Sequence, residues 1–343
     1  MTITTIGIDL AKNLFQIHGV DEHGHARLKK KLTRSQVAIC FANLPPCLIG
    51  MEACGSSHFW ARKLQGFGHT VKLMAPQFVK PYVKTNKNDA ADAAAICEAV
   101  TRPSMRFVPV KTPENQTVLS IHRARQGFVK ARTAQANQIR GLLAEFGIVI
   151  PQGIENIGRR LPEIIEDGEN ELPGNFRALL SRLLSQLRTL QQQVCELETE
   201  IKQWHQKNPV SCQIAAIPGI GPIGATAIIA SIGDAKSFDN GRQLAAWMGL
   251  VPRQHSSGGK ERLLGISKRG DSYLRTLLIH GARAVLRHAA RKPGYTNSWV
   301  GKLCNRRHAN VAACALANKN ARIVWALLAH NRTYQSNYIA SAA

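Results

Sequence analysis

The sequence predicts a mixed α/β domain, then a long helical region, then a helical and strongly basic C-terminal part. Three observations predict it. Three strand-like runs, TTIGIDLAK, LFQIHGV and ARLKKKL, come first and give way to alternating helical and strand patterns. Phe176, Leu180, Leu183, Leu187, Leu190, Val194, Leu197, Ile201 and Trp204 then recur at alternating spacings of four and three, a heptad seam. Past Ile214 the glycine-bearing run IPGIGPIGATAIIASIGD opens a series of short helical segments to about residue 290.

Element by element, DEHG supplies the turn between the second and third strands. TRSQVAICFANL reads as a helix capped by Thr33 or Ser35. CLIGMEA is an apolar strand ending at Glu52, SHFWARKLQGFG an amphipathic helix, TVKLMAP another strand, and NDAADAAAICEAV a helix capped near Asn88. From Pro113 to about Phe146 the pattern is helical and basic, and a Pro/Gly-bearing stretch follows. The heptad seam fits an intramolecular hairpin with that helix or a dimer contact, and spacing alone does not separate them. The last stretch is basic and helical, with an end expected to fray at TYQSNYIASAA.

Charge narrows the function. Lys and Arg total 45 against 22 Asp and Glu, a net charge of +23, which marks a partner rich in negative charge. Beyond Asp271 there is no acidic residue. That stretch carries Arg275, Arg283, Arg287, Arg291, Lys292, Lys302, Arg306, Arg307, Lys319, Arg322 and Arg332. A solvated surface normally mixes signs, so the bias favours phosphate binding over a mere solubility tail. No long apolar span or signal segment is seen, so no membrane partner is expected. The eight cysteines lack CxxC pairing, which argues against zinc or a disulfide framework and for a cytoplasmic, nucleoid-associated protein.

Within this basic chain, Asp9, Glu52, Asp89 and Asp92 stand where strands end or a helix begins. Carboxylates placed so converge at a sheet rim. Gly7 lets another backbone approach closely, and Asp89 and Asp92, three apart, share a helix face. Mg²⁺ or Mn²⁺ suits such a set, because it keeps water and binds through few carboxylates and the substrate phosphate. Singly, each has a plainer reading: Asp9 as a turn residue, Asp89 and Asp92 as dipole-favoured helix starts. An actin-like ATPase also begins with an Asp after a strand, but no second phosphate loop completes one.

Two further motifs point to phosphate. IPGIGPIGATAIIA resembles a helix-hairpin-helix element, in which Gly219 and Gly221 allow a tight turn that offers amides to a phosphate; a plain packing corner uses the same glycines. VPRQHSSGGKERLLGISKRGD sets Ser256 and Ser257 before Gly258 and Gly259, among Arg253, Lys260, Arg262, Lys268 and Arg269. A serine there fits nucleophilic attack on a phosphodiester or plain phosphate contact. Chemistry alone favours the plain contact and does not separate Ser256 from Ser257.

GIDLAK, GMEACGS and KNDAADA, followed by IPGIGP, GLVPRQHSSGG and SKRGD, resemble the DEDD transposases of insertion-sequence family 110, most closely subgroup 1111; Piv-type DNA invertases are similar. The resemblance runs from about residue 4 to 290. It implies a RuvC/RNase H-like catalytic domain over 1–112 and a helical coiled-coil region over 113–210. It also implies a mainly α transposase domain with the serine loop over 211–295; the basic helical tail over 296–343, read from composition, follows it. The family's acidic metal ligands fall on Asp9, Glu52, Asp89 and Asp92, and its serine nucleophile on Ser257. The family further implies a phosphoserine intermediate, an acidic site and serine acting from different subunits of a tetramer, and an element-encoded guide RNA (a bridge RNA) that pairs with donor and target DNA.

The reading is a Mg²⁺-dependent transposase or site-specific recombinase that moves its own insertion sequence. Ser257 attacks DNA, and Arg253, Lys260, Arg262, Lys268 and Arg269 contact phosphates. Two rivals remain: a RuvC-like junction nuclease that needs no serine, and a non-enzymatic architectural nucleic-acid binder.

Overall fold

The computed structural model describes residues 2–84, 88–291 and 298–335. Lys292 and residues 336–343 of the expected frayed end lie outside them. The chain divides into two compact units, Met1–Thr112 and Pro113–Ala343.

The first unit is built on β1 (Thr5–Leu10), β2 (Leu14–Val20) and β3 (Ala26–Thr33), an antiparallel meander. Then come α1 (Arg34–Ala42), β4 (Leu48–Glu52), α2 (Ser57–Gln65), β5 (Thr70–Met74), α3 (Pro76–Val79), α4 (Asp89–Val100) and the two-residue β6 (Phe107–Val108). The sheet order is β3-β2-β1-β4-β5-β6, with β4 parallel to β1 and to β5. One face is apolar by strand alternation: Ile6, Ile8, Phe15, Ile17, Ile49, Met51 and Leu73 bury against Val37 and Phe41 of α1 and Trp60 and Leu64 of α2. The other face takes α4, whose Ile96, Ala99 and Val100 pack with Met74 and Val79.

The second unit is helical: α5 (Pro113–Ala144), α6 (Ile154–Glu166), α7 (Gly174–Lys207), α8 (Pro209–Ala215), α9 (Pro222–Ile232) and α10 (Gly241–Trp247). The hairpin β7 (Pro252–Gln254) and β8 (Leu263–Ile266) precedes α11 (Ser272–Ala289), α12 (Trp299–Cys304) and α13 (Ala309–His330). α7 lies antiparallel on α5, pinned by Trp204 to Glu114 at 2.8 Å, Arg125 to Glu198 at 2.5 Å and Arg132 to Gln191 at 2.6 Å. Leu180, Leu187, Val194 and Ile201, seven apart, are the fully buried seam positions, and Leu183, Leu190, Leu197 and Trp204 are half-buried beside them.

Three expectations need correction. The Pro/Gly-bearing stretch after Phe146 contains the helix α6, with Pro162 inside it. The C-terminal region is not short helices alone, since it holds a β-hairpin and the 18-residue α11. The last basic stretch is no appendage, because Ala313, Ala317, Ala321 and Val324 of α13 bury in the same core as Ile228 of α9 and Leu278 of α11.

Candidate functional site

Two glycines position the acidic residues. A Cβ on Gly7 would stand 2.2 Å from the Ala93 carbonyl and 2.4 Å from the Cys97 amide; one on Gly50 would meet Val100 Cβ at 2.8 Å. The backbone of α4 therefore lies directly on β1 and beside β4. Its direction follows from the same contacts. Cys97 reaches the Thr5 carbonyl, while Ala93 sits over Gly7, so α4 runs antiparallel to β1. Its first turn, with Asp89 and Asp92, comes over the C-terminal end of β1.

Alternation puts Asp9 on the face of Gly7 and Glu52 on the face of Gly50. The parallel register ends at Ile8 opposite Met51, so the two carboxylates follow side by side on strands about 4.8 Å apart. Asp9, Glu52 and Asp92 are half-buried and Asp89 is exposed. Asn88 caps the helix, accepting from the Ala91 amide at 2.8 Å. Both carboxylates act on one thiol: Cys54 is pushed up by burial, then by the charges of Glu52 and Asp9. Among the described residues no three Asp, Glu, His or Cys close into a group that could hold a metal ion. Asp9 and Glu52 thus stand on one sheet edge with the start of α4, which carries Asp89 and Asp92, above it. Hard oxygen donors along an open edge suit Mg²⁺ or Mn²⁺, which complete their shells with water and phosphate.

Sequence reasoning passed over Gly50. The signal was there, since Gly7-Ile8-Asp9 and Gly50-Met51-Glu52 repeat one pattern on neighbouring strands.

The serine motif is the tip of the β7–β8 hairpin. Gly258 and Gly259 have φ of +55° and +77°, and the Lys260 amide donates to the Ser257 carbonyl at 3.1 Å. These are the marks of a type I′ turn with Ser257 at its first position. The two serines differ. Ser256 Oγ bonds the Gln254 amide group at 3.0 Å and the Arg262 N–H at 3.3 Å, tying the strands together. Among the described residues, no hydrogen bond engages the Ser257 hydroxyl. Arg253, Lys260 and Arg262 are exposed along the hairpin, and Lys268 and Arg269 are exposed at its root. The hairpin root is tight: a Cβ on Gly249 would lie 2.0 Å from the Arg269 carbonyl, and one on Gly270 1.8 Å from that of Trp247. Arg275 of α11 donates to the Met248 and Arg269 carbonyls, both at 3.2 Å.

Gly219 has a packing role. Its φ is +91°, and a Cβ there would stand 2.9 Å from the Gly281 carbonyl of α11. Gly221 is exposed and caps α9. On α11, His280, Arg283 and Arg287 are exposed, as is Arg291 just past its end, and among the described residues no cation beyond Asp271 forms an ion pair.

Below the hairpin lies a buried network that no sequence pattern announced. His122 of α5, only 1 % exposed, bonds Tyr273 of α11 through Nδ1 and Thr226 of α9 through Nε2, both at 2.9 Å. Thr226 spends its proton on the Pro222 carbonyl, so it accepts from Nε2–H, and Nδ1 accepts from the tyrosine. Arg125, paired with Glu198, sets its charge beside Tyr273. Burial, and then the Arg125 charge, push His122 down to about 4. An unfolded histidine takes up its proton near 6.5. Stability is therefore full above about pH 6.5 and falls as pH drops toward 4, by up to about 3 kcal/mol. Urea unfolding at pH 7 and pH 4.5 should show that fall, and His122→Gln should flatten it.

Residues 6–148 match a DEDD transposase family of the IS110 type, described as "Transposase". Residues 212–296 match the family described as "Transposase IS116/IS110/IS902 family". A probable family 20 transposase of Pseudomonas aeruginosa is 54% identical over 337 residues, covering 98% of this chain and 99% of its own. The transposase for insertion sequence element IS1328 of Yersinia enterocolitica is 45% identical, covering 94% and 96%. That for IS1111A of Coxiella burnetii is 45% identical, covering 97% and 92%. Membership suggests divalent-metal dependence and implies DNA substrates, and among the described residues no helix is long and apolar enough to cross a membrane. With its acidic edge on a six-stranded sheet and its helical second unit, the chain belongs to the IS110/IS116/IS902 family of transposases.

Proposed function

We propose that the protein moves its own insertion sequence by serine attack on DNA, assisted by a divalent cation at a RuvC-like acidic edge. The observation that carries this is the seating of α4 on Gly7 and Gly50, which brings Asp9, Glu52, Asp89 and Asp92 to one end of the sheet. These carboxylates would hold Mg²⁺ or Mn²⁺, which supplies charge stabilisation at the phosphate. The Ser257 hydroxyl gives up its proton as Oγ bonds to phosphorus. One backbone P–O bond breaks, and the departing sugar oxygen takes up a proton. A hydroxyl end of another strand reverses the step, so bonds are conserved without an external energy source. Arg253, Lys260, Arg262, Lys268 and Arg269 would steady the phosphates. The charge beyond Asp271 leaves room for an element-encoded guide RNA beside donor and target DNA. The half-buried Leu190 and Leu197 of α7 would serve self-association.

The test is recombination with purified protein, Mg²⁺, the element's upstream RNA and labelled donor and target DNA, run on a denaturing protein gel. A labelled protein–DNA adduct is expected, and cleavage without one would reassign the protein to a hydrolytic nuclease. Asp9→Asn and Glu52→Gln should each lower adduct formation on the order of a hundredfold or more while DNA binding stays within a few-fold. That loss with binding retained would sink an architectural binder, and unchanged adduct formation in both variants would remove the acidic edge from the chemistry. If activity is the same without RNA, the guide is dispensable and the transposase reading stands.

A further inference from the structure

The sheet face that carries Asp9 and Glu52 continues outward to a charged strand that the acidic site does not use. Asp9 stands opposite Gln16, and Gln16 opposite Lys31; one row further in, Gly7 faces His18 and His18 faces Lys29. Residues paired across antiparallel strands share a face. Lys29 and Lys31 are therefore on the acidic face, two strands from Asp9, or about 10 Å. Lys30, opposite Ile17, is on the other face.

β3 is the edge strand. Lys29 and Lys31 are exposed, and among the described residues neither forms an ion pair. His18 is held below its ordinary value by burial and then by Lys29, which agrees with Lys29 lying over that row. The strand is fixed at its start by Asp21, 4 % exposed. Its carboxylate accepts from Arg27 Nε at 2.7 Å and from the His25 and His23 amides at 2.9 and 3.0 Å. Burial alone would raise Asp21, but these donors outweigh it and hold it at about 2.

Lysines on an edge strand also block pairing with other sheets. That role needs no particular face and applies equally to Lys29, Lys30 and Lys31. Alignment of two of them with the acidic rows is a separate property.

We propose that Lys29 and Lys31 carry the phosphodiester backbone of the strand whose reacting phosphate lies at Asp9 and Glu52, with Gln16 as the polar step between. This rests on the acidic-site reading above. The distance corresponds to roughly three nucleotides of rise along one strand.

The test is the salt dependence of binding to single-stranded DNA and to RNA of the same sequence, measured by fluorescence anisotropy with full-length protein. Two lost phosphate contacts flatten the log K against log salt slope by about 1.4. The double variant Lys29→Ala/Lys31→Ala should show that change, Lys30→Ala should not, and Lys29→Arg/Lys31→Arg should restore the wild-type slope. Loss with DNA or with RNA names the strand that runs there. An unchanged slope in the double variant, or an equal change in Lys30→Ala, overturns the proposal. Binding is read without strand cleavage, so a missing adduct would sink the catalytic reading while the slope still judges this one.

Discussion

Ser257→Ala is expected to abolish the covalent protein–DNA adduct and to lower strand exchange at least roughly a thousandfold, as loss of a nucleophile does. Its melting temperature should match wild type, because the side chain is exposed and engages no described partner. Ser256→Ala is expected to do something different. It removes the hydroxyl that links Gln254 and Arg262 across the hairpin, so adduct formation should persist at a rate lower by a few-fold. A denaturing gel of both variants beside wild type separates the two serines. An adduct retained in Ser257→Ala and lost in Ser256→Ala would move the nucleophile by one residue.

Gly7→Ala should be the most damaging small change in the first unit. The added methyl meets the Ala93 carbonyl and the Cys97 amide, both backbone of α4, and neither yields by a rotamer change. Overpacking of this kind costs about 3 kcal/mol. What folds would carry α4 displaced from β1, and a 1 Å misplacement of Asp89 and Asp92 lowers activity on the order of a hundredfold. Gly141→Ala is the contrast: within α5, with nothing near its Cβ, it should raise stability by about 0.5–1 kcal/mol. Urea unfolding of both variants checks the pair; a neutral Gly7→Ala would mean that α4 does not seat on β1 as described.

Much of the first unit was legible because local rules and tertiary packing agree there. β2 alternates between buried core residues and half-buried polar ones, the period-two signal of a one-sided sheet. Thr33 and Asn88 stand where helices begin, and each is a good cap. The second unit was harder. α6 hides behind Gly158 and Pro162, both helix-unfavourable residues inside it, and packing of Ile157 and Leu161 outweighs them. The β7–β8 hairpin is hard to see in the sequence because its strands are largely exposed, so no burial alternation marks them. For the site, the carboxylates were visible as residues at element ends, but their shared edge depends on the direction of α4. The His122 network joins residues more than a hundred positions apart, which no local pattern encodes. The difference between Ser256 and Ser257 is one of side-chain partners, invisible in a Ser-Ser-Gly-Gly string.

The type I′ turn has a practical consequence. Its backbone demands fall on Gly258 and Gly259, the two positive-φ positions, and not on Ser257, which precedes them. The side chain at position 257 is thus interchangeable without redesign of the scaffold. A cysteine, a non-natural hydroxyl or a caged serine at 257 would inherit the same presentation, so the chemistry proposed for that position can be edited separately from the fold.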